Sequence, residues 1–436
     1  MRTHGTLVAW TCLLLLGCTG GSQEGVGLDD LEEFGRLPYL SATRDPQLAD
    51  ELARIVEEGG TPEQLTPADD ERSAGDALKE LFPEDRLDAL VAHSDELVPS
   101  GEFRFDPVRL QHAIAFRRKY DRERLEAREA LKQPQQHLGI RYVAGFSADM
   151  SVIEAIRLCA RLEAFHAAEL LAENDLDGAI GAVMAMLALT QCLATEKHLD
   201  ARLHAAYLHT EALAAMQAIV THADVAREHV KTLLQAVRDR LDRWPDDADA
   251  WIGERAVGLH AYELVREGAL LILLTEEEIE EFKRNGDLRV IAAAARRNAD
   301  RDQLYYLDTM RDLIEACRKP YYTRLPLLAS IDQQLQERWG TPEYPFVAGR
   351  VLLKDLAAGH AIQARDRANW EAWSLALAVA TGESPPKLNN PLTGKPYDVA
   401  REDTLIVVSG IGAGRDADRL RVYVPDFSKP PPDGGR

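Results

Sequence analysis

Several residue groupings in this chain have the types and spacings from which chemistry could be built. Glu163-Ala-Phe-His166 has the Glu-x-x-His spacing with which helices of di-metal bundles present a carboxylate and an imidazole on one face. Such a centre needs a second copy and further carboxylates on facing helices. The helical body holds no second Glu-x-x-His, and His260-Ala-Tyr-Glu263 runs in the reverse order. Glu163 and His166 are therefore expected to form a structural hydrogen bond or ion pair with each other. His198, His204 and His209 are near one another but not at i,i+4, so one helix face cannot present them together. Ser409-Gly-Ile-Gly-Ala-Gly414 follows a β-type run in the manner of a dinucleotide loop. Arg415 stands where the third spaced glycine is needed, and the stretch to Arg419 is too short for a helix to meet a pyrophosphate. A hairpin turn is predicted there instead. No His-Glu-x-x-His, Gly-x-Ser-x-Gly or P-loop pattern occurs, so the sequence names no catalytic residue, no cofactor site and no metal site.

The elements that must position these residues are helices. Thr61-Pro62-Glu63-Gln64 carries an N-cap, a proline at the first helical position and Gln at the third. Ser151 with Glu154 and Thr275 with Glu278 read as capping boxes, and Thr221 with Asp224 reads similarly. Pro107 to Lys132 reads as one charged helix with a solvated face, Arg122 and Glu126 being i,i+4 partners. A basic docking strip is the alternative for that segment.

Ser151 to His198 reads as a helical hairpin. Val152, Ile156, Cys159, Glu163, His166 and Leu170 make a stripe at alternating spacings of four and three, and Asn174-Asp175 makes the turn. The second helix is apolar on most faces and should be buried. Cys159 and Cys192 lie equally far from the turn, so they stand at similar height in an antiparallel pair. Small core residues are expected there. A disulfide is the alternative, and it would need Cα atoms about 4.4–6.8 Å apart. Further helices are predicted over about 200–220, 224–244, from the Gly253-Glu-Arg-Ala256 run past Ala261, and over 351–380. Pro245, Pro320, Pro326 and Pro345 punctuate between helices. Tyr397–Val399, Thr404–Val408 and Leu420–Val424 are short β-type runs, predicting a small antiparallel meander.

Length and charge set outer limits. With 436 residues the chain can bury one large core or two smaller ones. The net charge of −21 argues against a nucleic-acid partner, since neutralising phosphates needs a basic surface.

The N-terminus has Arg2, then an apolar run from Leu7 to Leu16, too short to span a bilayer, which takes about 20 residues. No later apolar run reaches spanning length. The run ends in Leu15-Leu16-Gly17-Cys18, which resembles the lipobox of bacterial lipoproteins. The resemblance implies a signal peptide cut after Gly17, a diacylglyceryl group on the Cys18 thiol and palmitate-type acylation. It implies a membrane anchor in the cell envelope, facing the periplasm or the cell exterior. Thr19 after the cysteine implies the outer membrane where one exists. Several acyl chains, at about 0.8 kcal/mol per buried methylene, anchor stably where one does not.

The organisation that follows is signal peptide 1–17, flexible tether 18–40, helical body 41–382, β appendage 383–428 and disordered tail 429–436. The fold class is mainly α, with stacked antiparallel helical hairpins and a small C-terminal antiparallel β appendage.

The hairpin resembles one tetratricopeptide-type unit. From Ser151 to Val424 the chain resembles a family of uncharacterised helical proteins of the bacterial envelope. The marks are the hairpin with its acidic turn, Gly253-Glu254-Arg255-Ala256, the Tyr306 to Met310 pattern, and Asn390-Pro-Leu-Thr-Gly-Lys-Pro-Tyr397. That last motif is also similar to the C-terminal part of type II secretion pseudopilins. These likenesses imply a lipid-anchored scaffold that binds protein partners. The alternatives are an enzyme whose pocket is assembled from distant residues, or a component of a secretion or pilus-like system.

Overall fold

The computed structural model describes residues 45–427 apart from 69–71, 99–102, 134–136, 286–287, 339–344, 355, 413–417 and 426. The lipobox, the tether to residue 40 and the tail from 429 lie outside the described residues. Of the described residues, 72% are helical. The first helices are α1 (Pro46–Glu57), α2 (Pro62–Leu65), α3 (Ala74–Lys79), α4 (Glu84–Leu97), α5 (Pro107–Lys119) and α6 (Asp121–Ala130). A central group follows: α7 (Ser151–Ala172), α8 (Leu176–Thr195), α9 (Leu199–Val220), α10 (Arg227–Asp242) and α11 (Asp247–Glu267). Then come α12 (Glu276–Asn285), α13 (Leu288–Arg297), α14 (Ala299–Cys317), α15 (Tyr321–Arg338) and α16 (Leu356–Thr381). The strands β1 (Asp398–Glu402), β2 (Leu405–Ser409) and β3 (Arg419–Tyr423) close the chain in an antiparallel sheet of order β1-β2-β3.

Helix starts follow the polar caps. Asp45, Asp106 and Asp175 each accept from backbone amides in the first turn that follows them, and Pro46 and Pro107 sit where a missing N–H costs nothing. The boxes of Thr61 with Gln64 and Thr275 with Glu278 form as expected. The Ser151 box does not. Asp149 takes the Ser151 amide at 2.9 Å, and Glu154 turns to Arg157 at 2.8 Å. Thr221 ends α9 instead of starting α10, its hydroxyl donating back to the Gln217 carbonyl at 2.8 Å.

The hairpin forms as predicted, with Asn174 at φ 61° in the turn and α7, α8 and α9 packing as consecutive neighbours. By length and composition α8 could cross a membrane, contrary to the expectation that no later segment reaches spanning length. It lies against α7, α9 and α10, which gives its apolar faces a protein surface to bury against. Helix α7 is the hub of the first half, touching α3, α4, α5, α6, α8 and α9.

Buried apolar side chains form two clusters. One runs from α3 through α10 and takes in much of α16 and the sheet; the other joins α1, α11, α14 and α15. Helix α11 begins at Asp247, capped by Asp246, so Gly253 lies inside it and does not open it. Gly253 is there for closeness: a Cβ would sit 1.5 Å from the Lys197 carbonyl oxygen. One turn later Gly258 admits Tyr306, whose hydroxyl donates to the Glu254 carbonyl at 3.1 Å. Two of the sequence marks thus meet across α11 and α14.

The predicted helix over 351–380 starts later, at Leu356, after a π-turn at Ala348–Leu352. Buried Asp302 on α14 explains the early break. Its carboxylate accepts the amides of Phe346, Val347 and Ala348 and the Tyr262 hydroxyl, which fixes the chain entering that turn.

In the meander Val399 faces Val408, and Ile406 faces Val422. Ile406, Val408 and Val422 are buried, and all three strands pack on α16. Asn390 holds the motif before β1. Its amide donates to the Gly410 carbonyl and its oxygen takes the Leu392 amide at 2.7 Å. Tyr397 then bonds Glu371 on α16 at 2.8 Å. The run from Ser409 connects adjacent antiparallel strands, as the hairpin reading requires.

Candidate functional site

The charged segment 107–132 is two helices and not one, with a solvated outer face that includes Arg118, Arg122 and Glu126 and an inner face turned to the protein. It breaks at Tyr120 (φ −112°, ψ 26°), and this lets both halves turn arginines toward α7. Glu163, 1% exposed, accepts from Arg128 Nε at 2.6 Å and from Arg124 Nη1 at 3.2 Å. Glu169 accepts from Arg117 and from Arg118 at 2.7 Å. Asp121 joins the two sets, taking Arg117 at 3.0 Å and Arg124 at 2.9 Å. Exposed Arg122 meets Glu126 at 3.5 Å as the i,i+4 spacing predicts.

The expected Glu163–His166 pair does not form, because the arginines occupy both carboxylate oxygens. The nearest acid to His166 is Glu169, at 3.8 Å from Nδ1. Burial, helped by Arg124 and Arg117, pushes His166 down to about 4. A ring of guanidiniums repels a metal cation as well as a proton. Among the described residues no group of three or more His, Cys, Asp or Glu has metal-site geometry.

A second seam joins α7 to α9, where Asp200, His204, Tyr207 and Glu211 recur at spacings of four and three. Arg161 bonds Asp95 at 3.1 Å and pairs with Glu211 at 2.5 Å. Arg157 bonds Glu154 and reaches Asp95 at 3.3 Å. Near the top of this seam Asp200 is pushed up to about 6 and Glu254 to about 7, in both cases first by burial. Asp200 keeps 32% side-chain exposure, so its shift is the weaker of the two. The neighbouring imidazoles are pushed the other way, His198 to about 4 and His204 to about 3.

The third place is a cavity of about 20 Å³ where α8, α9, α10, α11 and α16 meet. His209 lies on it, buried. Its Nδ1 meets Asp366 Oδ2 at 2.7 Å and its Nε2 meets an Arg240 Nη. A guanidinium only donates, so Nε2 must accept and the proton must sit on Nδ1, pointing at Asp366. That tautomer leaves His209 no free lone pair, and burial lowers its affinity for a second proton. The His–Asp pair therefore serves as a structural link and not as a base. A cavity of this size holds one or two water-sized bodies, far below the roughly 300–1,000 Å³ of a substrate pocket.

The cysteines are free: Cys159, Cys192 and Cys317 are buried and unpaired, so the disulfide alternative for the first two is set aside. Burial pushes Cys192 up to about 11 and the other two thiols higher still, which suppresses thiolate chemistry.

No family model, curated protein or solved structure matches this chain.

The geometry joins residues that sequence spacing keeps apart. His209 and Asp366 are 157 positions from each other. Of the histidine trio, His204 lies near Asp200 at 3.9 Å while His209 faces the cavity, so the three do not converge. Sequence reading named Glu163 and His209 but not their partners Arg124, Arg128, Arg240 and Asp366. The one available signal was the run of arginines at 117, 118, 122, 124 and 128 opposite an otherwise apolar stripe with a buried glutamate. Cys18 lies outside the described residues.

Proposed function

We propose that this chain is a lipid-anchored extracytoplasmic scaffold whose helical body binds a protein partner. The observation that carries this reading is where the buried charge goes. Glu163 and Glu169 of α7 are tied to arginines on α5 and α6, and the arginines of α7 reach α4 and α9. Ionisable groups used in this way brace helices against one another and hold their outer faces in fixed relation, which suits an interaction surface. The Gly17-Cys18 motif supports the anchor.

An open groove of about 430 Å³ between α1 and α14, lined by Asp50, Glu51, Arg54, Asp308 and Arg311, is the place offered for the partner. The test uses the chain without residues 1–18, immobilised and exposed to envelope extract, beside Arg54→Glu/Arg311→Glu. The expected outcome is a discrete protein retained by the wild-type body and lost on the reversed groove. Retention of nothing above a control of equal charge would contradict the reading.

One observation favours a second reading, an enzyme with a pocket assembled from distant residues. Asp200 and Glu254 are carboxylates with raised proton affinity near two imidazoles, a pattern found in acid–base sites. Residues kept for activity often cost stability. On this reading Glu254→Gln raises the melting temperature, and a fall would assign Glu254 a structural role.

A further inference from the structure

We infer that the cavity between α9, α10, α11 and α16 is a binding site for a small monovalent inorganic anion of about the size of chloride. Two buried guanidiniums face this space, and among the described residues neither makes an ion pair with a carboxylate. Arg202, 7% exposed, donates only to backbone carbonyls, Glu196 at 2.7 Å and Asp246 at 3.3 Å. Arg240, 4% exposed, donates to the Gln191 side-chain oxygen and to His209, which is neutral in the tautomer that Arg240 itself imposes. The Nε–H of Arg240 has no acceptor. A buried charge is costly unless it is paired, and here the carboxylates act only from further off, Asp249, Asp247 and Glu196 on Arg202 and Asp366 on Arg240, with none in direct contact.

Gln363 supplies the third donor. It is 6% exposed and lines the same cavity. Its amide orientation is fixed by Trp251, whose indole N–H can only donate and meets Oε1 at 3.0 Å. The Nε2 amino group is therefore the other end, and it is buried without an acceptor. The two carboxylates on the cavity wall are already engaged: Asp366 takes the His209 proton, and Asp247 takes Arg324 at 2.8 Å. The volume of about 20 Å³ admits a halide and excludes sulfate, phosphate or a larger carboxylic acid.

The experiment measures thermal unfolding of the full folded body in sodium chloride and in sodium gluconate at equal ionic strength. Gluconate is too large for the cavity. The expected result is a rise in melting temperature of about 1–3 °C that saturates with chloride and is absent in gluconate. Bromide should replace chloride and give a single anomalous peak among Arg202, Arg240 and Gln363 in crystals. The deciding variant is Gln363→Glu. Its Oε1 can still accept from Trp251, while its second oxygen puts a negative charge where the ion would sit. It should fold and unfold at a temperature that no longer depends on chloride. Equal melting temperatures for the wild type in the two salts would overturn the inference and leave water in the cavity. So would a chloride dependence that survives in Gln363→Glu.

Discussion

Two regions of this molecule bury arginine, and they do so differently. On α7 two buried carboxylates are met by guanidiniums from a neighbouring helix: Glu163 by Arg124 and Arg128, Glu169 by Arg117 and Arg118. At the cavity on α9 and α10 the guanidiniums of Arg202 and Arg240 meet carbonyls, an amide and a neutral imidazole instead. The chemistry of the side chain is the same and the completeness of its surroundings is not. In the α7 seam every guanidinium meets a carboxylate, although the Nε–H of Arg117 has no acceptor there either, and the seam serves as structural bracing. The cavity is short of one acceptor, which is the mark of a place where something else binds. Burial of charge alone therefore does not identify a site; the informative quantity is whether the buried guanidiniums touch a carboxylate.

The largest expected effect is at the α7 seam. Glu163→Leu leaves Arg128 without a carboxylate and Arg124 with Asp121 alone, and should cost about 3–5 kcal/mol, read as a lower urea midpoint. Replacing Arg124, Arg128 and Glu163 together by apolar residues of similar volume should recover much of that loss. If the single variant were as stable as wild type, the seam would not be bracing the stack. Gly253→Ala comes next. The new methyl would collide with the Lys197 carbonyl, and the helix shift needed to relieve it should cost about 1–3 kcal/mol. A neutral result would mean that α11 and the turn before α9 are not in firm contact.

Acid titration sharpens the contrast with smaller effects. Buried His204 and His360 are held at about 3, and His198 and His166 at about 4, all first by burial. Unfolded, these imidazoles take protons near their ordinary value of about 6.5. Between that value and about 4 the unfolded chain binds more protons, so these groups lower stability as the pH falls through that window. Glu254, held at about 7, and Asp200, at about 6, have the opposite sign. The folded chain holds their protons where the unfolded chain has lost them, so their contribution declines as the pH rises toward 7. His209 is pushed down as well, and Glu154, Glu211 and Asp302 are pushed up, so five imidazoles and five carboxylates oppose each other on acidification. Glu254→Gln removes one group whose protonation favours the fold, so its stability should fall more steeply from pH 6.5 to 4.5 than that of the wild type. Identical pH profiles for the two would contradict the assignment of Glu254. The smallest effect is expected for Cys192→Ala, which removes one buried sulfur with a weak 3.8 Å contact to the Ala188 carbonyl and no disulfide.

Much of the fold was legible because local signals carried it. The Asn174-Asp175 turn, the Thr61 and Thr275 boxes and the three β-type runs are contiguous in sequence, and each forms. Local signals failed where a distant group competed. Asp149 took the Ser151 amide that Glu154 was expected to reach. Asp302 set the start of the turn before α16. Arginines of the 107–132 segment claimed Glu163 and left His166 aside. The cavity was illegible for the same reason: Arg202, Arg240, Gln363 and Asp366 come from three helices, and nothing in their local spacing links them. Gly253 was noticed as a mark, but its reason, the approach of the Lys197 carbonyl, exists only in the packed structure.

The proposal that this braced body is tethered by lipid is tested most directly by the intact mass of the mature protein purified from membranes. The predicted result is a chain beginning at Cys18 and heavier than its sequence by a diacylglyceryl group and an acyl chain, with Cys18→Ser left unprocessed or released from the membrane. A mature chain without added lipid mass, or a Cys18→Ser form that stays membrane-bound like the wild type, would contradict it.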